Sequence, residues 1–284
     1  MKITKKNFRK YQVYALVTGA ASGMGRIYAK VLAAKGYSII AVDINSKMLD
    51  ETVEIVKEEV SNLSDFRSED KTKFNIIPIV QDLSQKEAAS KIYAVAQEAK
   101  CEVEVIVNNA GIMYCHEICY TPERMLDIIT MVHMYTPLML CRAFVPKMRE
   151  RGNGYVLNVS SLAEAMNWPA IGMYGSTKRF VKDFSRGLRV ECQKTGVSVT
   201  NAYFGAVDTP LIPISPALKK LARNLLVMIS PEVAVDKALT ATFKRRKGTM
   251  PGLLNKIFYP LILILPDWLL GVLYRKCTFI RTKF

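Results

Sequence analysis

From Val13 onward, short apolar runs alternate with longer stretches in which apolar residues recur every three or four positions. The runs "VYALV" (13–17), "SIIAVD" (38–43), "IIPIV" (76–80), "VEVIVNN" (103–109), "GYVLNVS" (154–160) and "VSVTNAYF" (197–204) have the length and β-branched content of strands. Helical spacing marks "GMGRIYAKVLAAKG" (23–36), a charged stretch near 46–60, and "SQKEAASKIYAVAQEA" (84–99), with Ser84 as its expected N-cap. Two more helices are expected around 122–150 and 173–195. Apolar strands separated by helices of ten or more residues predict an α/β fold: a doubly wound parallel sheet covered on both faces. "SNLSDFRSEDKTKFN" (61–75) reads as a polar insertion. With no linker-like stretch and no repeat, the expectation is one domain over 1–252, followed by an apolar, helical C-terminal extension over 253–284.

Composition narrows the class. Half of the 284 residues are hydrophobic, enough for a sizeable core. The six cysteines (101, 115, 119, 141, 192 and 277) lack metal-site spacing and read as free thiols in a reducing compartment, with no metal expected. The basic opening "MKITKKNFRK" is followed by too short an apolar run for a secretory signal, so a cytoplasmic location is expected. The net charge of +15 crowds into the first ten and last forty residues. It suits an anionic membrane surface or a polynucleotide, but no nucleic-acid-binding motif is visible and no nucleic acid is expected. In "MPGLLNKIFYPLILILPDWLLGVLYRKC" (250–277) the uncharged run from Ile257 to Pro266 is too short to span a bilayer. With Tyr259, Trp268, Tyr274 and flanking cations it suits peripheral attachment at the membrane surface. A cap over a substrate pocket, or a subunit interface, is equally open at this point.

The candidate chemistry begins at "LVTGAASGMGR", which joins the first strand to the first helix. Gly19, Gly23 and Gly25 would let the backbone turn sharply and bring the helix amides to a pyrophosphate. Asp43 ends the second strand, where a carboxylate can accept from both hydroxyls of an adenosine ribose and would repel a 2′-phosphate. Ser22 and Ile44 offer no compensating cation, which favours NAD over NADP; Arg26 could soften that preference. Asp82 ends the third strand, "NNAG" (108–111) the fourth, and Ser160 and Ser161 the fifth. Ligands of open parallel sheets sit at these strand ends. Tyr174 precedes Lys178 by one helical turn, so the two share a helix face, and a nearby ammonium would favour the phenolate.

T-G-x-x-x-G-x-G, N-N-A-G, a serine thirteen residues before the tyrosine, and Y-x-x-x-K occur in that order. Over residues 12–250 the chain resembles the short-chain dehydrogenase/reductase family, whose fold is Rossmann-like. The resemblance implies a dinucleotide held by Gly19, Ser22, Gly23, Met24, Gly25, Asp43, Asp82, Leu83, Asn109, Ala110, Gly111, Gly205, Val207 and Thr209, together with Tyr174 and Lys178. It implies Tyr174 as acid and base, Ser161 holding the reacting oxygen and Lys178 holding the nicotinamide ribose. Thirteen residues before Pro146, where many relatives carry an asparagine that supports a water relay, this chain has His133, either a proton relay or a core histidine. The stretch "YFGAVDTP" departs from the family's P-G. Family members are commonly dimers or tetramers, so a homo-oligomer is expected. The tail resembles those of a bacterial subgroup and, more loosely, of membrane-associated hydroxysteroid and ketoacyl reductases.

The loops "LAEAMNWPAIGM" (162–173) and "DTPLIPISPALKKLARNLLVMIS" (208–230) are apolar, which points to a steroid- or lipid-like secondary alcohol or ketone. The reading is therefore an NAD(P)-dependent oxidoreductase. Its rivals are a 3-oxoacyl reductase using NADPH and a nucleotide-sensing protein without turnover.

Overall fold

The computed structural model describes residues 12–63, 73–165, 168–209 and 228–276. The core is a sheet of β1 (Tyr14–Thr18), β2 (Ser38–Asp43), β3 (Ile76–Val80), β4 (Val103–Asn108), β5 (Gly154–Ser161), β6 (Val197–Phe204) and an edge strand β9 (Gly248–Thr249). All pair in parallel, in the order β3-β2-β1-β4-β5-β6-β9. β7 (Ala206–Val207) and β8 (Met228–Ile229) form a separate parallel pair. The two-residue β9 carries no apolar run of its own, so periodicity could not reveal it; the register Asn201 to Gly248 does.

Side chains alternate across the strands and divide the core in two. Ala15, Val17, Ile39, Ala41, Val105, Val107 and Leu157 face one layer, where α1 (Gly23–Ala34), α2 (Ser46–Ser61) and α7 (Pro231–Phe243) pack. Leu16, Ile40, Val42, Ile106 and Val156 face the other, covered by α3 (Ala88–Glu98) and α5 (Thr136–Glu150). Each fully buried Leu or Ile contributes about 2 kcal/mol.

The third helix begins four residues later than its periodicity suggests. Ser84 is not its N-cap: the Ser84 amide donates to Asp82 Oδ1 at 2.8 Å, and residues 84–87 form turns before α3. The short-range bond to the carboxylate wins over helix extension. The fourth helical region comprises α4 (Glu123–Thr130), a widened π-turn over Met131–Tyr135 and α5. It is the one helix among the described residues long and apolar enough to cross a membrane, but Val132, Leu140 and Phe144 bury against the sheet. α6 (Gly172–Glu191) follows β5, and the chain continues through α8 (Leu253–Leu263) and α9 (Asp267–Lys276), bent by 106° from one another. Most of the polar insertion (64–72), residues 166–167 of the loop after β5 and 210–227 of the loop after β6 lie outside the described residues.

Candidate active site

The strand order reverses between β1 and β4, and a crevice of about 340 Å³ opens at their carboxyl ends. Its first wall is the glycine turn. Gly19 takes φ +69°, and a Cβ there would stand 3.0 Å from Ala110 Cα. At Gly25 a Cβ would meet Gly19 O at 1.8 Å, so this residue packs the helix onto the turn and does not face the crevice. Thr18 clamps the opposite wall: its hydroxyl accepts from the Asn109 and Ala110 amides at 3.0 and 3.1 Å and donates to Val107 O. Asn109 Nδ2 donates to Thr18 O. Thr18 was not among the candidate residues, although its place before Gly19 in the motif could have identified it.

Gly19, Ser22, Gly23, Met24, Asp43, Asp82, Leu83, Asn109, Ala110, Gly111 and Thr209 all line the crevice. Asp43 Oδ2 accepts from the Ala21 amide and Oδ1 from the Asn45 amide, both at 3.0 Å, fixing the carboxylate at the edge of the crevice. Arg26 is turned away: it donates to Thr52 Oγ1, to Ala21 O and Met48 O, and pairs with Glu51. Asp82 is also held by backbone; burial works against its charge, but bonds from Ser84 and Gln85 carry its carboxyl below the usual range. Val207 points into the core. Gly205 faces Asn255 of α8, whose side chain would stand 2.6 Å from a Cβ there. Only main-chain atoms of these two residues can serve a ligand.

Residue types and cavity shape fit a dinucleotide: a backbone cradle that a Cβ would fill, and a carboxylate at the adenosine end.

Beyond the crevice, β5 and α6 bring Ser161, Tyr174 and Lys178 together. Lys178 Nζ lies 5.6 Å from the Tyr174 ring centroid and donates to Val159 O at 3.2 Å. Ser160 Oγ donates to Lys178 O, which fixes α6 to the strand end. Ser161 approaches the Tyr174 hydroxyl and accepts from the Ala163 amide. Burial pushes the Tyr174 phenol up, opposed by its bond with Ser161; the expected depression by the ammonium is absent. The same burial falls on the lysine, lowering Lys178 to about 8. For this buried pair, desolvation outweighs the mutual attraction. Buried Cys115 sits beside Tyr174, a neighbour that no motif indicated.

His133 is 1% exposed and stacks edge-on against Tyr174 at 5.6 Å. Its Nε2 accepts from the Ile112 amide at 3.0 Å, which places the proton on Nδ1, where it donates to Thr177 Oγ1 at 2.9 Å. Thr177 donates onward to Tyr174 O. Burial, and then the Lys178 charge, holds the imidazole neutral. Gly111 makes room for this cluster, since a Cβ there would lie 3.1 Å from His133 Nε2 and 3.5 Å from Lys178 Nζ.

The C-terminal helices reach the same end of the sheet. Tyr259 bonds to Glu164, three residues after Ser161, and accepts from Lys182 Nζ at 2.8 Å. Glu164 is fully buried and takes both Lys182 contacts, at 2.9 and 3.0 Å. Tyr274 bonds to Glu117 in the loop after β4.

Known proteins share this fold. The chain is 32% identical over 212 residues to a very-long-chain 3-oxoacyl-CoA reductase-A from Danio rerio, covering 73% of this chain but only 62% of that relative's length. A short-chain dehydrogenase from Sphingobium yanoikuyae in complex with NADPH superposes with a TM-score of 0.73, at 20% identity over 96% of this chain and 98% of the other. A short-chain dehydrogenase from Mycobacterium paratuberculosis bound to NAD gives 0.69, at 22% identity over 86% and 97%. The family model described as short chain dehydrogenase matches residues 13–215, and the chain belongs to this family of NAD(P)-dependent oxidoreductases.

Proposed function

We propose that the protein transfers hydride between NAD and an apolar secondary alcohol or ketone of steroid or lipid size. The observation that carries this reading is the convergence of Ser161, Tyr174 and Lys178 beside a glycine-walled crevice. The nicotinamide, when bound, gives or accepts the hydride. Tyr174 supplies a proton to the carbonyl oxygen during reduction and takes it from the alcohol during oxidation. Ser161 hydrogen-bonds that oxygen and opposes the charge that develops on it. Lys178, held by Val159 O, orients the ribose beside it and, when charged, stabilises the phenolate left after proton transfer. His133 acts through position: with both ring nitrogens bonded by protein, it ties the loop after β4 to the backbone of Tyr174.

Asp43 supports NAD as the preferred cofactor. Arg26, the cation that could have balanced a 2′-phosphate, is committed to four partners around α2. Ile118, Trp168, Pro169 and Met173 line part of a hollow of about 870 Å³ between the loops after β4 and β5, opposite His116, Glu117 and Arg179; its apolar part supports an apolar substrate. One second reading has specific support. The match to a 3-oxoacyl-CoA reductase favours reduction of an acyl chain, and NADPH preference would accompany it.

The tail supports peripheral attachment to an anionic membrane. Ile257, Leu261, Leu263, Ile264 and Trp268 are 49–75% exposed, with Lys256, Arg275 and Lys276 exposed among or beside them.

Tyr174→Phe tests the chemistry. NADH binding is expected to persist while turnover of apolar alcohols falls about a thousandfold. Turnover within a factor of three of the parent would refute the assignment; equal kcat/KM with NADH and NADPH would remove the cofactor preference.

A further inference from the structure

We propose that a second groove, at the far half of α6, binds a phosphate-bearing anion of nucleotide size. This groove, about 830 Å³, lies between the C-terminal half of α6 and the sheet edge β6–β9. It shares no lining residue with the dinucleotide crevice. Its volume is that of a pocket for one small molecule, which sets it apart from a surface that tracks a polynucleotide.

The groove carries uncompensated positive charge. Arg186, Arg189, Lys194, Arg245 and Lys247 line it, and none of the five pairs with a carboxylate among the described residues. Its one lining carboxylate, Asp183, faces Arg179 at 3.5 Å. Two of the guanidiniums are positioned in advance. Arg189 donates to Val199 O and Arg245 O, both at 2.7 Å, and Arg245 donates to Gly196 O at 2.6 Å while resting 4.9 Å from the Tyr155 ring centroid. These bonds to carbonyls fix direction without neutralising charge, the state in which guanidinium binds phosphate well.

The groove is also lined by an unsatisfied amide. Asn108, Asn158 and Asn201 stand in register on β4, β5 and β6. Asn158 is bonded on both sides, by Asn108 Nδ2 at 2.7 Å and to Ser185 Oγ at 2.8 Å. Asn201 lines the groove at 1% exposure, and neither its Oδ1 nor its Nδ2 makes a hydrogen bond. A buried amide left unpaired destabilises the fold unless something satisfies it. The amide carries one acceptor and two donors, both atoms buried among the residues that line the groove. The matching ligand has a polar, hydrogen-bonding head and a phosphate: a soluble nucleotide, or the headgroup of an anionic phospholipid.

ADP, titrated into protein saturated with NADH so that the dinucleotide crevice is filled, is the direct probe. Raised thermal stability is expected, with binding weakened at least tenfold in Arg186→Glu/Lys247→Glu, whose exposed side chains leave the fold intact. Asn201→Leu is expected to weaken ADP at least threefold. Sedimentation with phosphatidylglycerol against phosphatidylcholine vesicles separates the sources: vesicle binding that requires Arg186 and Lys247 without an ADP response assigns the phosphate to lipid. If neither ADP nor phosphatidylglycerol binding depends on these two residues, the proposal is overturned. Tyr174→Phe leaves both responses unchanged, and NADH fluorescence reports the first site separately, so failure of the groove and failure of the catalytic reading are distinguishable.

Discussion

The glycine turn and the C-terminal helices meet the same active-site region from opposite principles. Around Gly19 and Gly25 contact is made by backbone, so close that a single methyl group has nowhere to go. In α8 and α9 contact is made by side chains, Tyr259 on Glu164, Tyr274 on Glu117, Asn255 against Gly205 and the buried Leu270, while several large apolar residues remain in solvent. The first region is rigid because its neighbours are main chain, which no rotamer change can move. The second is held by a few polar bonds, each worth about 1 kcal/mol. A binding cradle needs the former; an exposed surface can use the latter.

Gly25→Ala tests the first principle and carries the largest expected effect. Its Cβ would fall 1.8 Å from Gly19 O, so α1 must shift off the turn. A loss of about 3 kcal/mol or more in urea unfolding is expected, with NADH binding abolished. A variant that melts and binds like the parent would mean that the turn is pliable, and the contrast with the tail would vanish.

This contrast also explains what the sequence made legible. Glycine spacing, Asp43 and the Tyr174–Lys178 pair are local patterns, each encoded within one strand–turn–helix unit, and the sheet they sit on follows from periodicity. The environment of the tyrosine is not local. Cys115 and the Ile112 amide come from the loop after β4, Thr177 and Lys178 from α6 and Val159 from β5, and the burial these segments impose together reverses the expected shift of the phenol. The Ser84 expectation failed for a related reason: Asp82, two residues earlier, takes the Ser84 amide into a turn, and the helix starts only after Glu87. The tail's bond to Glu164 spans 95 positions, and no periodicity announces such a contact.

Lys178 lies between the two extremes: a long side chain enclosed like a glycine. Burial lowers it from 10.5 to about 8. Below pH 8 it is charged in folded and unfolded chains alike, and the desolvation cost is felt in full. Between pH 8 and 10.5 the folded chain has released a proton that the unfolded chain keeps, so its contribution to stability rises with pH. The shift corresponds to about 3 kcal/mol. Lys178→Met is therefore expected to gain about 2 kcal/mol at pH 7 after losing the bond to Val159 O, while turnover collapses. The two unfolding curves should converge toward pH 10.5. A destabilised variant at pH 7 would show that the ammonium is better solvated than its burial implies.

The smallest effect on stability, and the most selective on behaviour, is expected at the tail. Ile264 and Trp268 are 75% and 70% exposed, so Ile264→Ser/Trp268→Ser removes almost no buried area and should change unfolding by less than about 0.5 kcal/mol. The same substitutions delete the most exposed apolar groups beside Lys256, Arg275 and Lys276, those best placed to enter the headgroup region. Sedimentation with phosphatidylglycerol vesicles is expected to fall at least fivefold, with kcat on a water-soluble alcohol unchanged. Undiminished vesicle binding would assign these residues to a protein contact instead, and the exposed face would then be read as the seat of another chain. Because folding and soluble turnover are expected to stay constant, a fall in vesicle binding can be ascribed to the surface alone, which is the separation between cradle and tail that the two modes of contact imply.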